Sequence, residues 1–190
     1  MRNDITIAPF NGIWPKIHES VFIAPGCRII GDVEIGPDSS IWYNCVIRAD
    51  INHIRIGARS NIQDGTVIHC DSPKEGRPLG FPTIIGDDVL VGHMAMIHGC
   101  TLEDRAFVGL GAVVMDGCTV SSDAMLAAGA LLSPGKTIPP REMWIGRPAV
   151  MARGLNDAQL AEMQRGVAGY VRNGQMHKAN LAESGTGGAA

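Results

Sequence analysis

The 190-residue sequence contains few aromatic residues, no excess of basic residues and no long apolar segment. Phe, Tyr and Trp make up only 5% of the chain, so something other than ring packing must organise the core of a domain of this size. The net charge is −3 and no dense run of Lys or Arg occurs, which excludes the usual signature of nucleic-acid binding. No segment approaches 18 apolar residues, so no transmembrane helix is predicted.

The cysteine pattern and the N-terminus bear on the compartment. The five cysteines form no CxxC motif and their number is odd, which argues against a disulfide framework and favours a reducing environment. The first residues are charged early, at Arg2 and Asp4, and lack the apolar core of a signal peptide. We therefore expect a cytoplasmic protein that binds neither membranes nor nucleic acids.

What the sequence does contain is a six-residue repeat of aliphatic residues. A period of six fits neither an α-helix nor a simple hairpin, and is typical of a parallel β-helix with three short strands in each triangular coil. Each aliphatic side chain would point into the prism and stack on its counterpart one coil later, about 4.8 Å away. The repeat positions are Ile17, Ile23, Ile29, Ile35, Ile41, Ile47, Ile56, Ile62, Ile68, Ile85, Val91, Ile97, Leu102, Val108, Val114, Val120, Leu126, Leu132 and Ile138.

Three irregularities interrupt this repeat, and all three fall in its middle part. Extra residues separate Ile47 from Ile56, a loop at about residues 71–82 lengthens the next interval, and one residue is missing before Leu102. Loops that protrude from a solenoid often carry function. The same part of the chain also contains an unusual set of polar residues.

The C-terminal part of the sequence predicts a helix. Asn156 and Gln159 form a plausible capping box for an amphipathic helix that ends at about Arg172. Its apolar face would consist of Leu160, Met163, Val167, Tyr170 and Val171. The predicted organisation is a β-helix domain at residues 1–150, a helix with its extension at 151–182 and a flexible tail at 183–190.

Two columns of polar residues follow from the repeat. If each insertion is a bulge within its repeat, His69 and His98 lie one coil apart on one face, about 5 Å from each other, with Arg48 in the same column. His93 then lies below Asp64 on a different face. Three imidazoles suit Zn²⁺ or Fe²⁺ with an open position for water.

A single chain does not easily bring these three histidines to one ion, because they lie on two faces. A cyclic homotrimer does, since one face of each subunit meets another face of its neighbour. The sequence therefore predicts a metal bound by His69 and His98 of one chain and by His93 of the next. Alternatively, Arg48 and Asp64 form only an intersubunit ion pair.

Four segments carry a family resemblance. Residues 46–50 (VIRAD), 56–65 (IGARSNIQDG), 91–93 (VGH) and 97–100 (IHGC), together with His69, resemble the γ-class carbonic anhydrases. The resemblance covers about residues 10–172. It implies a left-handed parallel β-helix that forms a homotrimer with zinc, or iron or cobalt, at the subunit interfaces. It also implies hydration of CO₂ to bicarbonate by a metal-bound hydroxide.

The resemblance assigns further roles. It implies that His69, His93 and His98 are the metal ligands, and that Gln63, oriented by Asn61, holds the metal-bound water. The remaining implied site residues are the charged interface set Arg48, Asp50 and Asp64, and Tyr170, which would close the site unless it serves only to pack the helix.

The sequence also departs from the family pattern. Ile51 stands where the family has a glutamate that transfers protons, and Arg172 replaces an asparagine two positions after Tyr170. Glu75 is the only glutamate in the short loop that could serve as a shuttle. Fast turnover needs a proton path out of the site, so these departures indicate weak activity.

Two other functions are compatible with the repeat. Hexapeptide-repeat prisms commonly host acyl transfer, so the chain could be an acyl-CoA thioesterase or acyltransferase. It could also be a metal-stabilised scaffold without catalytic activity. Three histidines in register count against the first alternative, and the presence of Gln63 and Asn61 counts mildly against the second.

Overall fold

The computed structural model describes residues 4–186 as a parallel β-helix followed by one α-helix. Each coil contributes three short strands, as the six-residue repeat predicts. In chain order the elements are β1 Thr6–Ala8, β2 Lys16–Ile17, β3 Phe22–Ile23, β4 Arg28–Ile35, β5 Ser40–Ile41, β6 Val46–Ile56, β7 Asn61–Ile62, β8 Val67–His69, β9 Thr83–Ile85, β10 Leu90–Val91, β11 Met96–His98, β12 Thr101–Leu102, β13 Phe107–Val108, β14 Val113–Val114, β15 Thr119–Val120, β16 Met125–Leu126, β17 Leu131–Leu132, β18 Thr137–Ile138, β19 Glu142–Ile145, β20 Val150–Gly154 and α1 Asp157–Thr186.

The strands stack into three faces. The helix face contains β3, β5, β7, β10, β13, β16 and β19, and α1 packs against its first strands. The two-histidine face contains β1, β8, β11, β14 and β17 with the first halves of β4 and β6. The third face contains β2, β9, β12, β15 and β18 with the second halves of β4 and β6. The two long strands therefore turn a corner of the prism.

The repeat residues form the core. Every aliphatic repeat position from Ile29 to Ile138 is buried, whereas Ile17 and Ile23 are only half-buried. The first coil has a neighbouring coil on one side only, which explains that difference. Full burial of such a side chain stabilises the fold by about 1.5–3 kcal/mol, so the stacked aliphatic residues are the main source of stability.

The aliphatic repeat residues stay paired from coil to coil across the irregularities, as predicted. Ile47 pairs with Ile68, and Ile68 pairs with Ile97. The three extra residues lie within β6, where the register with β4 shifts between Gly31 and Val33. A Cβ at Gly31 would lie 2.2 Å from the Ala49 carbonyl oxygen, so this close approach requires glycine.

The beginning of α1 agrees with the capping-box prediction. The Asn156 N–H donates to Gln159 Oε1 at 3.1 Å, and the Gln159 N–H donates to Asn156 Oδ1 at 3.0 Å. Met163 and Val167 of the predicted apolar face are buried against the prism. No helix among residues 4–186 is long and apolar enough to cross a membrane.

The end of the helix was predicted wrongly, because α1 continues past Arg172 to Thr186. Polar contacts to the first coils hold its second half. Gln175 Nε2 donates to the Ser20 carbonyl at 3.0 Å, and Lys178 Nζ donates to the Val21 carbonyl at 3.3 Å. An apolar periodicity does not reveal such contacts. Of the tail predicted at 183–190, residues 183–186 belong to this helix and residues 187–190 lie outside the described part.

His177 is the side chain that ties the second half of α1 to the helix face. Its ring centroid lies 5.7 Å from Phe22, 5.1 Å from Trp42 and 6.0 Å from Tyr43. Its Nδ1 shares a 3.1 Å hydrogen bond with the Tyr43 hydroxyl. His177→Ala is expected to lower the free energy of unfolding by about 1–3 kcal/mol, because it removes these ring contacts and a half-buried hydrogen bond.

Chemical denaturation and amide exchange of residues 173–186 measure this effect. Asn173→Ala, an exposed change on the same helix, is the control. Equal stability and equal exchange in the two variants would show that His177 does not dock the helix.

Candidate metal centre

The ends of β8 and β11 place two histidines side by side. His69 and His98 are paired in register, and their ring centroids are 5.1 Å apart. Nδ1 of His69 lies 3.1 Å from Nε2 of His98. The predicted stacking of these two rings on one face is therefore confirmed.

In each ring, the nitrogen that does not face the other histidine donates its N–H to a carboxylate. His69 Nε2 donates to Asp50 Oδ1 at 2.8 Å, and His98 Nδ1 donates to Asp116 Oδ1 at 2.5 Å. Arg48 pairs with the second oxygen of Asp50. Burial acts to raise the pKa of Asp50, but the hydrogen bonds from His69 and Arg48 outweigh it and lower the pKa below its usual value.

This arrangement fits a divalent cation. Because the carboxylates take one N–H from each ring, the other two nitrogens, His69 Nδ1 and His98 Nε2, face the space between the rings and can offer their lone pairs to a cation. A separation of 3.1 Å is about that of two nitrogens bound at roughly 2.0–2.1 Å to one Zn²⁺ ion. Carboxylates that hold the opposite nitrogen are the usual support of metal-binding histidines.

The backbone around the two rings is held by Thr83. Its hydroxyl, which is buried, donates to the His69 carbonyl at 2.5 Å and accepts from the Gly99 N–H at 3.0 Å. Sequence reasoning missed both Thr83 and Asp116. The available signal was the register, which places Asp116 beside Gly99, the residue after His98, in the next coil.

The third histidine lies elsewhere in the chain. His93 follows β10 on the helix face, and its Nδ1 donates to Asp64 Oδ2 at 2.7 Å. Asp64 Oδ1 accepts the Tyr43 N–H at 3.1 Å. The predicted alignment of Asp64 and His93 is confirmed, and the side chain of His93 is 43% exposed, which leaves its Nε2 accessible.

One chain does not assemble a complete three-ligand site. Among residues 4–186, no group of three or more His, Cys, Asp or Glu side chains is arranged to hold a metal ion. Within the chain Arg48 pairs with Asp50, and it lies on a different face from Asp64. The donor set is thus divided between two faces, as the sequence predicts.

Gln63 and Asn61 form an oriented pair of amides. Gln63 Nε2 donates to Asn61 Oδ1 at 3.0 Å, and Asn61 Nδ2 donates to the Val89 carbonyl at 3.4 Å. This chain of hydrogen bonds leaves Gln63 Oε1 as an acceptor. Gln63 is only 3% exposed in the single chain, so the fold holds its amide in place without the help of a second subunit.

The remaining predicted residues lie on α1, in the loop between β8 and β9, and in β6. Tyr170 on α1 packs edge-to-face on Trp42 at 5.4 Å, and burial, together with the charge of Asp64, raises the pKa of its hydroxyl. Glu75 is exposed in the loop between β8 and β9. Ile51 lines a cavity of about 280 Å³ next to Asp50.

Cys70 follows His69 directly in the sequence, and a cysteine thiolate at this position would be a potential metal ligand. Its side chain is buried inside the prism, as are those of the other four cysteines. Burial raises the pKa of the Cys70 thiol to about 11. A thiol of this kind stays protonated at neutral pH, whereas metal binding needs the thiolate.

Comparisons with known proteins agree with the fold and with the family resemblance. The family model described as "Bacterial transferase hexapeptide (six repeats)" matches residues 15–49. Gamma carbonic anhydrase 2, mitochondrial, of Arabidopsis thaliana is 45% identical over 171 residues, which cover 90% of this chain and 61% of that protein. The carbonic anhydrase of Geobacillus kaustophilus is 43% identical over 173 residues, which cover 91% of both chains.

A solved structure agrees with the β-helix fold. The crystal structure of a hexapeptide transferase family protein from Anaplasma phagocytophilum matches with a TM-score of 0.83 at 39% identity, over 92% of this chain and 98% of that one. The stacked six-residue coils and these matches define a hexapeptide-repeat β-helix protein. Within that class, the chain belongs to the γ-class carbonic anhydrase family.

Proposed function

We propose that the protein is a metal-dependent carbonic anhydrase that hydrates CO₂ reversibly to bicarbonate at the subunit interfaces of a homotrimer. Each site would combine His69 and His98 of one chain with His93 of the partner subunit. The supporting observation is that three histidines each have one nitrogen held by a carboxylate, while two of the other nitrogens lie 3.1 Å apart and the third is on another face. Threefold symmetry joins two such faces.

The residues of the chain then have distinct tasks. A bound Zn²⁺, Fe²⁺ or Co²⁺ would supply Lewis acidity and a hydroxide nucleophile at neutral pH. Gln63 Oε1 would accept a hydrogen bond from that nucleophile and orient it towards CO₂, and Asn61 keeps the Gln63 amide from rotating. Asp50 and Asp64 fix the orientation of His69 and His93. Tyr170, packed on Trp42, would close the site on the side of the helix.

Proton transfer out of the site is expected to be the slow step of the proposed reaction. The aliphatic side chain of Ile51 cannot transfer a proton. Glu75 lies on an exposed loop and forms no ion pair with the site histidines. The proton released in each turnover would therefore pass to solvent or buffer, which predicts slow turnover.

Acyl transfer is the second candidate, because a 39%-identical structure is named for the hexapeptide transferase family. An acyltransferase or acyl-CoA thioesterase would use one histidine as a base and needs no ligand trio. The three carboxylate-bound histidines favour the metal-dependent reaction. A metal-stabilised scaffold would also need the histidines, but it would have no use for the oriented amides of Gln63 and Asn61.

Anaerobic purification followed by metal analysis and a CO₂ hydration assay tests the proposal. We expect about one metal ion per chain, and hydration that rises with metal content, because each site takes its ligands from two neighbours. His98→Ala should remove both the bound metal and the hydration activity. His18→Ala should retain both, because the His18 ring forms a hydrogen bond with Ser20 near the first coil.

Two outcomes would contradict it. A wild-type protein that binds no metal would refute the proposed site. Full metal occupancy without hydration would favour the thioesterase or scaffold, and acyl-CoA hydrolysis would be assayed next. The cytoplasmic location stays a prediction, and the Arabidopsis relative is named as mitochondrial.

A further inference from the structure

Asp116 is a carboxylate at the histidine pair that sequence reasoning did not include. It follows β14, which pairs with β11, and so lies one coil beyond His98. Its Oδ1 is 2.5 Å from His98 Nδ1. Among residues 4–186, His98 is the only side chain that forms a hydrogen bond or ion pair with this carboxylate.

The backbone builds this contact into the fold. The Gly117 N–H donates to the Gly99 carbonyl at 2.7 Å, and the Gly135 N–H donates to the Asp116 carbonyl at 2.9 Å. Gly99 has a φ of +52°, and a Cβ there would lie 2.6 Å from Asp116 Oδ1. The carboxylate reaches His98 because the residue between them has no side chain.

The charge of Asp116 distinguishes it from the other carboxylate at the histidine pair. Asp50 forms an ion pair with Arg48, which offsets its charge. Within the described part of the chain, no Lys or Arg forms an ion pair with Asp116. The negative charge of Asp116 therefore acts on the His98 ring without an ion-paired cation among residues 4–186, which makes the ring a stronger electron donor.

We propose that Asp116 is a positioning residue that holds His98 in the tautomer protonated at Nδ1 and so presents Nε2 to a divalent cation. The inference rests on the proposed function, because it assigns a task within that metal site. Without Asp116, His98 would populate both tautomers, and the tautomer protonated at Nε2 has no lone pair to offer the cation.

Two variants of Asp116 and one control test this role. Asp116→Ala removes the acceptor, Asp116→Asn keeps an acceptor oxygen without the charge, and Asp123→Asn changes a carboxylate that pairs with Arg105. Zn²⁺ affinity, measured by chelator competition, is expected to fall about 10–100-fold in Asp116→Ala and less in Asp116→Asn. Asp123→Asn should bind as the wild type does.

A second measurement needs no metal. Nitrogen chemical shifts of the His98 ring in the metal-free protein should show protonation at Nδ1 in the wild type and in Asp123→Asn. They should show a mixture of tautomers in Asp116→Ala. Melting temperature and oligomeric state separate these effects from misfolding, and Asp116→Asn serves if the alanine variant does not fold.

The outcomes separate the two proposals. Wild-type protein that binds Zn²⁺, together with Asp116 variants of equal affinity, would overturn the role of Asp116 and leave the proposed function standing. An unchanged tautomer in Asp116→Ala would overturn it as well. Wild-type protein that binds no Zn²⁺ would instead refute the metal site itself.

Discussion

Mixing His69→Ala chains with His93→Ala chains is expected to restore about a quarter of the metal sites, although neither variant alone has any. Each site of the proposed trimer would need His69 and His98 from one chain and His93 from its neighbour. In an equal random mixture each requirement is met by about half of the chains, so about a quarter of the sites have both. Metal content and CO₂ hydration per chain, after subunit exchange, measure the recovery.

The matched control is a mixture of His69→Ala and His98→Ala chains. Those two residues lie in register on one face of the same chain, with nitrogens 3.1 Å apart. Every chain in this mixture lacks one of the pair, so no site can be complete. Recovery in both mixtures, or in neither, would exclude a site that is shared between subunits in the proposed way.

Gln63→Ala is expected to lower kcat/KM for CO₂ hydration about 10²-fold while the metal content stays unchanged. The Gln63 amide is buried and its orientation is set by Asn61 and the Val89 carbonyl, so its acceptor oxygen is already in place before CO₂ arrives. Removing a preorganised hydrogen-bond partner of the nucleophile raises the barrier without removing a metal ligand.

Two further variants show whether the effect of Gln63→Ala is specific to the oriented amide. Asn61→Ala should have a smaller effect in the same direction, because the Gln63 amide stays but can rotate. Gln175→Ala removes an amide of the same type that donates to the Ser20 carbonyl, and it should retain full activity. An unchanged rate in Gln63→Ala would refute its role in orienting the nucleophile, and loss of metal would show that the residue supports the ligands instead.

Much of the fold could be predicted because the β-helix repeats one local rule. Each inward aliphatic residue is buried by its neighbours one coil away, so the six-residue period determines both the burial of residues such as Ile68 and Ile97 and their pairing. Because insertions are accommodated within β6 and in the loop between β8 and β9, the register passes through them. The stacking of His69 on His98 follows from that register.

The prediction was less complete where contacts depend on side-chain direction or on distant parts of the chain. The second half of α1 was missed because Gln175, His177 and Lys178 bind the first coils through polar contacts, which leave no periodic signal. Thr83 and Asp116 were missed because the repeat specifies which residues are neighbours but not which side chains form hydrogen bonds.

By itself, the sequence therefore determined the β-helix, its register and the division of the three histidines between two faces. The physical reason is that hydrophobic burial at a regular interval depends only on local spacing. Only the tertiary structure decided which ring nitrogens face each other and which carboxylates hold them. Those features depend on distances and angles within about one ångström, which are set by the packing of several coils together.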